Sequence, residues 1–245
     1  GQIMCGIRMR GRTLIITDQD AHIATYSGPP FVYGFERVGT ACGIASRKSL
    51  VAVDEGAFWM GNKEFYTFNG SVASAIKCDV QDYIFNDINE SQISKVYAVH
   101  NAQHGEVWWF YPSGASNEND KYVALDYKEG HWSVGTLDRT ACVDRGVFSN
   151  PIWSDASGNL YNQETGYTHG SVKPYAESGP ISLGNGDTVM KVSNLISDEE
   201  TQGEVNVTFK TRFYPNASET THGPYTLSNP TDVRFTGRQI RLKVE

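Results

Sequence analysis

The chain has 245 residues, 24 of them Gly and 9 Pro, with 12% aromatic and 20% charged residues and a formal net charge of −7. That length is ample for a hydrophobic core, and 5 Trp, 13 Tyr and 11 Phe residues exclude intrinsic disorder. No apolar run reaches the ~18 residues of a transmembrane helix, and an acidic balance without a basic run argues against tight sequence-independent binding of nucleic acid.

Along the chain, period-two alternation and short turn signals outweigh helical periodicity. Arg8, Arg10 and Arg12 share strand parity, which predicts one solvated stripe. Leu14 to Gly28 reads as two strands around Asp18-Gln19-Asp20, where Asp favours a turn because its side chain bonds nearby backbone. Ala57 to Gly70 reads as a strand, a tight turn and a second strand, with Trp59 ahead of the turn. One helix is expected within Val80 to Ser94.

His100 and His104 bracket a turn and are read as two hairpin-exposed histidines rather than metal ligands. Glu106 to Tyr111 contains Val107, Trp108, Trp109, Phe110 and Tyr111 in an unbroken run, which suits a strand covered on both faces. A long polar hairpin, Ser113 to Asp120, follows it. Pro151 to Gly166 repeats the shape of Ala57 to Gly70, with Trp153 before the turn. Within it, Ser154 to Tyr161 resembles the Asp-box hairpins of sialidase propellers, which are structural in those enzymes.

Ile16, Trp59, Trp109 and Trp153 therefore mark units at steps of about 45 residues, the period of a four-stranded β-propeller blade. A β-sandwich with regular hairpins is the competing architecture. The fold class expected is all-β: propeller-like blades of four-stranded antiparallel sheets over residues 1–170, then a C-terminal strand-rich segment over 171–245, either an extra blade or a small sandwich. The second segment has no Trp, and its alternation is plain in Val205, Val207 and Phe209 and in Ile240, Leu242 and Val244. The chain starts at Gly1 and stops inside a strand pattern, and is read as part of a longer protein.

Cys5, Cys42, Cys78 and Cys142 are widely spaced without a C-x-x-C pair, so they are read as reduced, mostly buried thiols rather than zinc ligands. No phosphate-binding Gly loop, nucleophile elbow or zinc-protease motif occurs. The expected sets of catalytic, cofactor-binding and metal residues are empty, no cofactor is expected, and the chain is expected not to be an enzyme. Trp108, Trp109, Trp132 and Trp153 have the chemistry to stack on sugar rings, but each sits where a blade packs on its neighbour and is read as core.

A further set of runs carries a family resemblance. They are Gly56 to Gly61, Phe65 to Gly70, Glu106 to Pro112, Asn117 to Asp120, Trp132 to Gly135, Arg139 to Ala141 and Gly158 to Tyr161, with Glu177 to Gly179 and Gly237 to Ile240 in the tail. In this order the chain resembles the tail-hub proteins of short-tailed bacteriophages, also called tail nozzle or packaged-DNA stabilisation proteins, from about Gly11 to Val244. Cys142 stands where the resemblance leads one to expect Trp. The resemblance implies a structural virion subunit, assembled in the host cytoplasm, that forms a homo-oligomeric ring, usually six-fold. Such a ring sits below the portal and adaptor proteins, continues the channel for genomic DNA without reading its sequence, and supports a tail fibre or spike and a needle. The alternative is a glycan-binding or glycan-cleaving propeller acting on host surface polysaccharide.

Overall fold

The computed structural model describes residues 1–54, 56–166, 173–198 and 204–245. The chain divides into two compact units, Gly1–Thr165 and Gly166–Glu245.

The first unit is a series of antiparallel sheets wound in sequence order. The first sheet is β1 (Ile3–Met9), β2 (Arg12–Thr17), β3 (Ala21–Gly28) and β4 (Val32–Gly39). The second is β5 (Leu50–Val53), β6 (Gly56–Met60), β7 (Phe65–Phe68) and β8 (Ala73–Ile76). The third is β9 (Tyr97–Asn101), β10 (Glu106–Tyr111), β11 (Lys121–Asp126) and β12 (His131–Thr136). A fourth sheet contains β13 (Ala141–Val143), β14 (Ile152–Ser154) and β15 (Leu160–Asn162). The first strands lie side by side: β1 packs on β5, β5 on β9, and β9 on β13. A parallel bridge between Lys48 and Tyr97 ties the start of β9 to the entry of β5. That is blade-on-blade stacking with the first strand of each sheet innermost, so the all-β, propeller-like reading of the fold holds.

Strand alternation explains the packing. On β10, Val107, Trp109 and Tyr111 face Met60 and Phe65 of the second sheet, while Phe110 and Trp108 face Trp153 and Cys142 of the fourth. A strand between two blades has no solvent face, and the unbroken apolar run follows. On β6, Ala57 and Trp59 likewise face Leu14 and Ile16 of the first sheet, whereas Phe58 and Met60 face the third.

The anchors Ile16, Trp59, Trp109 and Trp153 all lie on the second strand of their sheet and are all buried. The three Trp residues each look back at the preceding sheet. Ile16 looks forward at Trp59, so it matches the strand but not the face, because one residue of offset reverses a side chain.

The sharp link from the first to the second sheet depends on Gly43. A Cβ there would lie 2.0 Å from the Asp18 carbonyl oxygen, closer than any side chain permits. The helix expected within Val80 to Ser94 is instead two short pieces, α1 (Gln81–Phe85) and a 3-10 helix (Glu90–Lys95), with Asn89 capping the second by accepting from the Ser91 N–H. Ile84, Ile88 and Val96 from this link plug the core between the second and third sheets.

The second unit is a small sandwich. One sheet joins β16 (Ala176–Glu177), β17 (Ile181–Ser182), β19 (Asn206–Arg212), β20 (Thr220–Thr226) and β22 (Gln239–Val244); the other pairs β18 (Met190–Leu195) with β21 (Thr231–Gly237). Val207 and Phe209 of β19 meet Val233 and Phe235 of β21 in its core. Outside that core, Glu177 accepts from Lys210 Nζ at 2.7 Å and pairs with Arg241 Nη2 at 2.9 Å. These cations, Lys210 first, hold the Glu177 carboxyl below its usual range.

Candidate functional site at the inner turns of the blades

The turns joining first to second strands gather polar side chains at one end of the first unit. A cavity of about 570 Å³ opens there between the first two sheets. Arg8, Arg10, Arg12, Asp54, Asn69 and His100 line it, with Met9, Ile23 and Phe68 among the apolar walls. The expected single arginine stripe does not form. Met9 pairs with Arg12 and Arg8 with Thr13 across the Arg10-Gly11 turn, so the chain reversal puts Arg12 on the face opposite to Arg8. Arg12 Nη1 donates to the Gly70 carbonyl at 3.1 Å.

His100 lies in β9 and is half-buried, not hairpin-exposed. Its Nε2 is 3.1 Å from the Tyr127 hydroxyl, and its Nδ1 is 3.9 Å from the Asp144 carboxylate. Burial holds its pKa below the ordinary 6.5, against the opposing pull of Asp144 and Asp54. The imidazole is therefore neutral at neutral pH.

Next to it, Asn101 is fully buried and clamps two carboxylates with one amide. Asn101 Nδ2 donates to Glu164 Oε1 at 3.0 Å and to Glu106 Oε2 at 3.5 Å. Trp108 Nε1 donates to that same Glu106 oxygen at 2.8 Å, and His104 Nε2 is 3.2 Å from Glu164 Oε2. Glu106 Oε2 and Glu164 Oε1 therefore lie no further apart than these two hydrogen bonds laid end to end. That bound includes the ~5–5.5 Å spacing of retaining glycoside hydrolysis. The same bonds also fasten the β9–β10 turn to the segment after β15. His100 and His104 do not converge: one faces Asp144, the other Glu164. Neither glutamate is part of a motif, and they are far apart in sequence, so only the fold brings them together.

The other polar clusters serve turns. Asp18 Oδ1 accepts from the Gln2 N–H at 2.7 Å, and Asp20 Oδ1 from the Ala41 N–H at 3.2 Å. Asp155 braces the β14–β15 hairpin. It accepts from the Asn159 side chain at 2.8 Å, the Tyr161 hydroxyl at 2.9 Å, and the Ser157 and Asn159 N–H groups at 2.9 Å each. Those donors, Asn159 foremost, hold its carboxyl down at about 2. Arg139 is buried and stacks over the Tyr161 ring at 4.1 Å.

All four cysteines are free. Burial raises the thiols of Cys5 and Cys78 to about 11 and that of Cys142 to about 12. Among the described residues no group of three or more His, Cys, Asp or Glu is placed to hold a metal ion, and no helix is long and apolar enough to cross a membrane. Trp109 and Trp153 are buried, whereas Trp108 and Trp132 are partly buried at the same interfaces.

No protein family model and no curated protein matches the chain. Solved structures similar to it include an exo-beta-1,3-galactanase from Phanerochaete chrysosporium with beta-1,3-galactotriose, 11% identical at a TM-score of 0.35, covering 95% of this chain and 74% of that one. Another is a glycoside hydrolase, 10% identical at a TM-score of 0.30, covering 98% of this chain and 80% of that one. Both neighbours are glycoside hydrolases, and the expectation that the chain is not an enzyme is withdrawn on that finding. At these identities and TM-scores the likeness assigns it no reaction.

Proposed function

We propose that this chain belongs to a ring-forming tail-hub, or nozzle, subunit of a short-tailed bacteriophage, in which stacked β-blades bear load around a DNA channel. One observation supports the reading above others: most of the runs that carry the resemblance fall on strands of successive blades. Gly56 to Gly61 forms β6 and Phe65 to Gly70 forms β7 with its exit turn. Glu106 to Pro112 forms β10, Trp132 to Gly135 lies in β12, and Gly158 to Tyr161 spans the entry to β15.

The physics is compatible. A duplex passing through a ring must not bind its wall, and a net charge of −7 per chain leaves no general grip on phosphates. A head-to-tail interface that closes after a fixed rotation gives a ring rather than a filament. On this reading the partners are further copies of the chain, the portal and adaptor above, and fibre or spike and needle proteins below, all within the virion. The test is fractionation of purified particles. The protein is expected to remain with tails after DNA release. Its absence from particles and tails would overturn the proposal.

A second reading is favoured by the Glu106–Glu164 pair: action on a glycan of the host surface. Its test is release of reducing sugar from host polysaccharide, abolished by Glu106→Gln or Glu164→Gln. No release by the unaltered protein would remove it.

A further inference from the structure

Three arginines, Arg8, Arg10 and Arg12, line the cavity between the first two sheets. Of the other arginines, Arg37 pairs with Asp20, Arg139 with Asp138, Arg234 with Asp232, and Arg241 with Glu177 and Glu219, whereas Arg47, Arg145, Arg212 and Arg238 make no ion pair among the described residues. Among the described residues no carboxylate lies within ion-pair distance of Arg8, Arg10 or Arg12, although acids outnumber bases in this protein 28 to 21. Arg8, Arg10 and Arg12 all line one cavity of about 570 Å³, in which Asp54 is the one acidic residue among the described lining residues. That volume lies in the ~300–1,000 Å³ range of small-molecule sites. Arg12 is held in place by the Gly70 carbonyl, so part of the charge is pre-positioned.

The rest of the wall narrows the ligand. A guanidinium fork matches a carboxylate or phosphate with two parallel N–H···O bonds. Asp54 accepts from hydroxyls and would repel a ligand that is anionic throughout. Asn69 spends its side-chain oxygen on the Ser71 and Val72 N–H groups at 3.0 and 3.1 Å, which leaves its NH2 as a donor. Met9, Ile23 and Phe68 supply apolar surface for a ring face. The neutral His100 ring adds a polar edge.

We propose that this cavity binds an acidic sugar, a hydroxylated ring bearing one carboxylate or phosphate, with the arginines on the oxyanion and Asp54 and Asn69 on the hydroxyls. The inference is independent of the assembly in which the chain functions.

Calorimetric titration of the full chain with D-glucuronate, glucose 6-phosphate, inorganic phosphate and glucose tests it. Saturable binding of glucuronate or glucose 6-phosphate is expected, with glucose at least about tenfold weaker, as the loss of charge-assisted hydrogen bonds predicts. The preferred member of the acid pair identifies the oxyanion. The double variant Arg8→Gln, Arg10→Gln removes exposed side chains that make no hydrogen bond or ion pair among the described residues, and is expected to weaken binding at least about tenfold while the protein stays folded. The charge-matched variant Arg37→Gln, Arg47→Gln, in which neither residue lines the cavity, is expected to bind as the parent does. Failure of both acid sugars to bind by about 10 mM, well past the millimolar range of weak sites, overturns the proposal. So does glucose binding as tightly as the acids, binding of inorganic phosphate alone, or an equal loss in the charge-matched variant.

Discussion

The three tryptophans on the second strands offer a graded test of blade packing, because their indole N–H groups have different fates. Trp59 Nε1 donates to the Cys42 carbonyl at 2.9 Å, which has no other partner among the described residues. Trp109 Nε1 donates to the Ser49 carbonyl at 3.1 Å, which also accepts from the Met60 N–H. Trp153 Nε1 is buried without a partner among the described residues. Replacing each by Phe removes similar packing, about 1–2 kcal/mol.

The hydrogen-bond contribution then separates them. Trp59→Phe strands a carbonyl and adds about 1–3 kcal/mol, Trp109→Phe loses one shared bond worth about 1 kcal/mol, and Trp153→Phe removes an unsatisfied donor and recovers much of its packing loss. The expected totals are about 2–5, 2–3 and 0–1 kcal/mol in that order. Urea unfolding followed by tryptophan fluorescence reads them cleanly, since all 5 Trp residues lie within Gly1–Thr165. A Trp153→Phe loss equal to that of Trp59→Phe would refute the reasoning.

Three further outcomes follow from the titrating groups. Asp155 is held from 3.8 down to about 2, so its contribution is present above pH 3.8 and is lost as pH falls from there toward 2. Protection factors of the amides in the 155–161 hairpin should fall over that window, and Asp155→Asn should lower them above it while leaving them little changed near pH 2. The pKa of His100 is lowered by burial against the pull of Asp144 and Asp54, with Lys128 adding to the lowering. The unfolded chain therefore binds more protons below pH 6.5, stability falls as pH drops through that value, and His100→Gln should flatten the slope of unfolding midpoint against pH. Burial raises Cys142 further than Cys5 or Cys78, so a thiol reagent at pH 8 should label Cys142 only at the rate of unfolding. Cys5, the one thiol that is only partly buried, should react first.

Much of the blade architecture was legible because two-faced burial writes itself into composition. The run from Val107 to Tyr111 is apolar throughout since each face of β10 meets a different sheet. The Trp spacing was legible for the same reason. Faces were harder: Ile16 sits one residue out of phase with the Trp anchors, and nothing local distinguishes the two sides of a doubly covered strand. Arg8 and Arg12 share parity in the sequence, but the Arg10-Gly11 reversal separates them. The strand β20 is hidden because Gly223 and Pro224 are residue types disfavoured inside strands, and residues 231–244 divide at Arg238 into strands of different sheets. The Glu106–Asn101–Glu164 clamp was invisible, because its partners come from different sheets and share no spacing rule.

Electron microscopy of the protein released from virions tests the central proposal most directly. Averages viewed down the axis are expected to show a closed ring around an open channel, its wall made of radially stacked blades. Isolated single copies with no axial opening would contradict it.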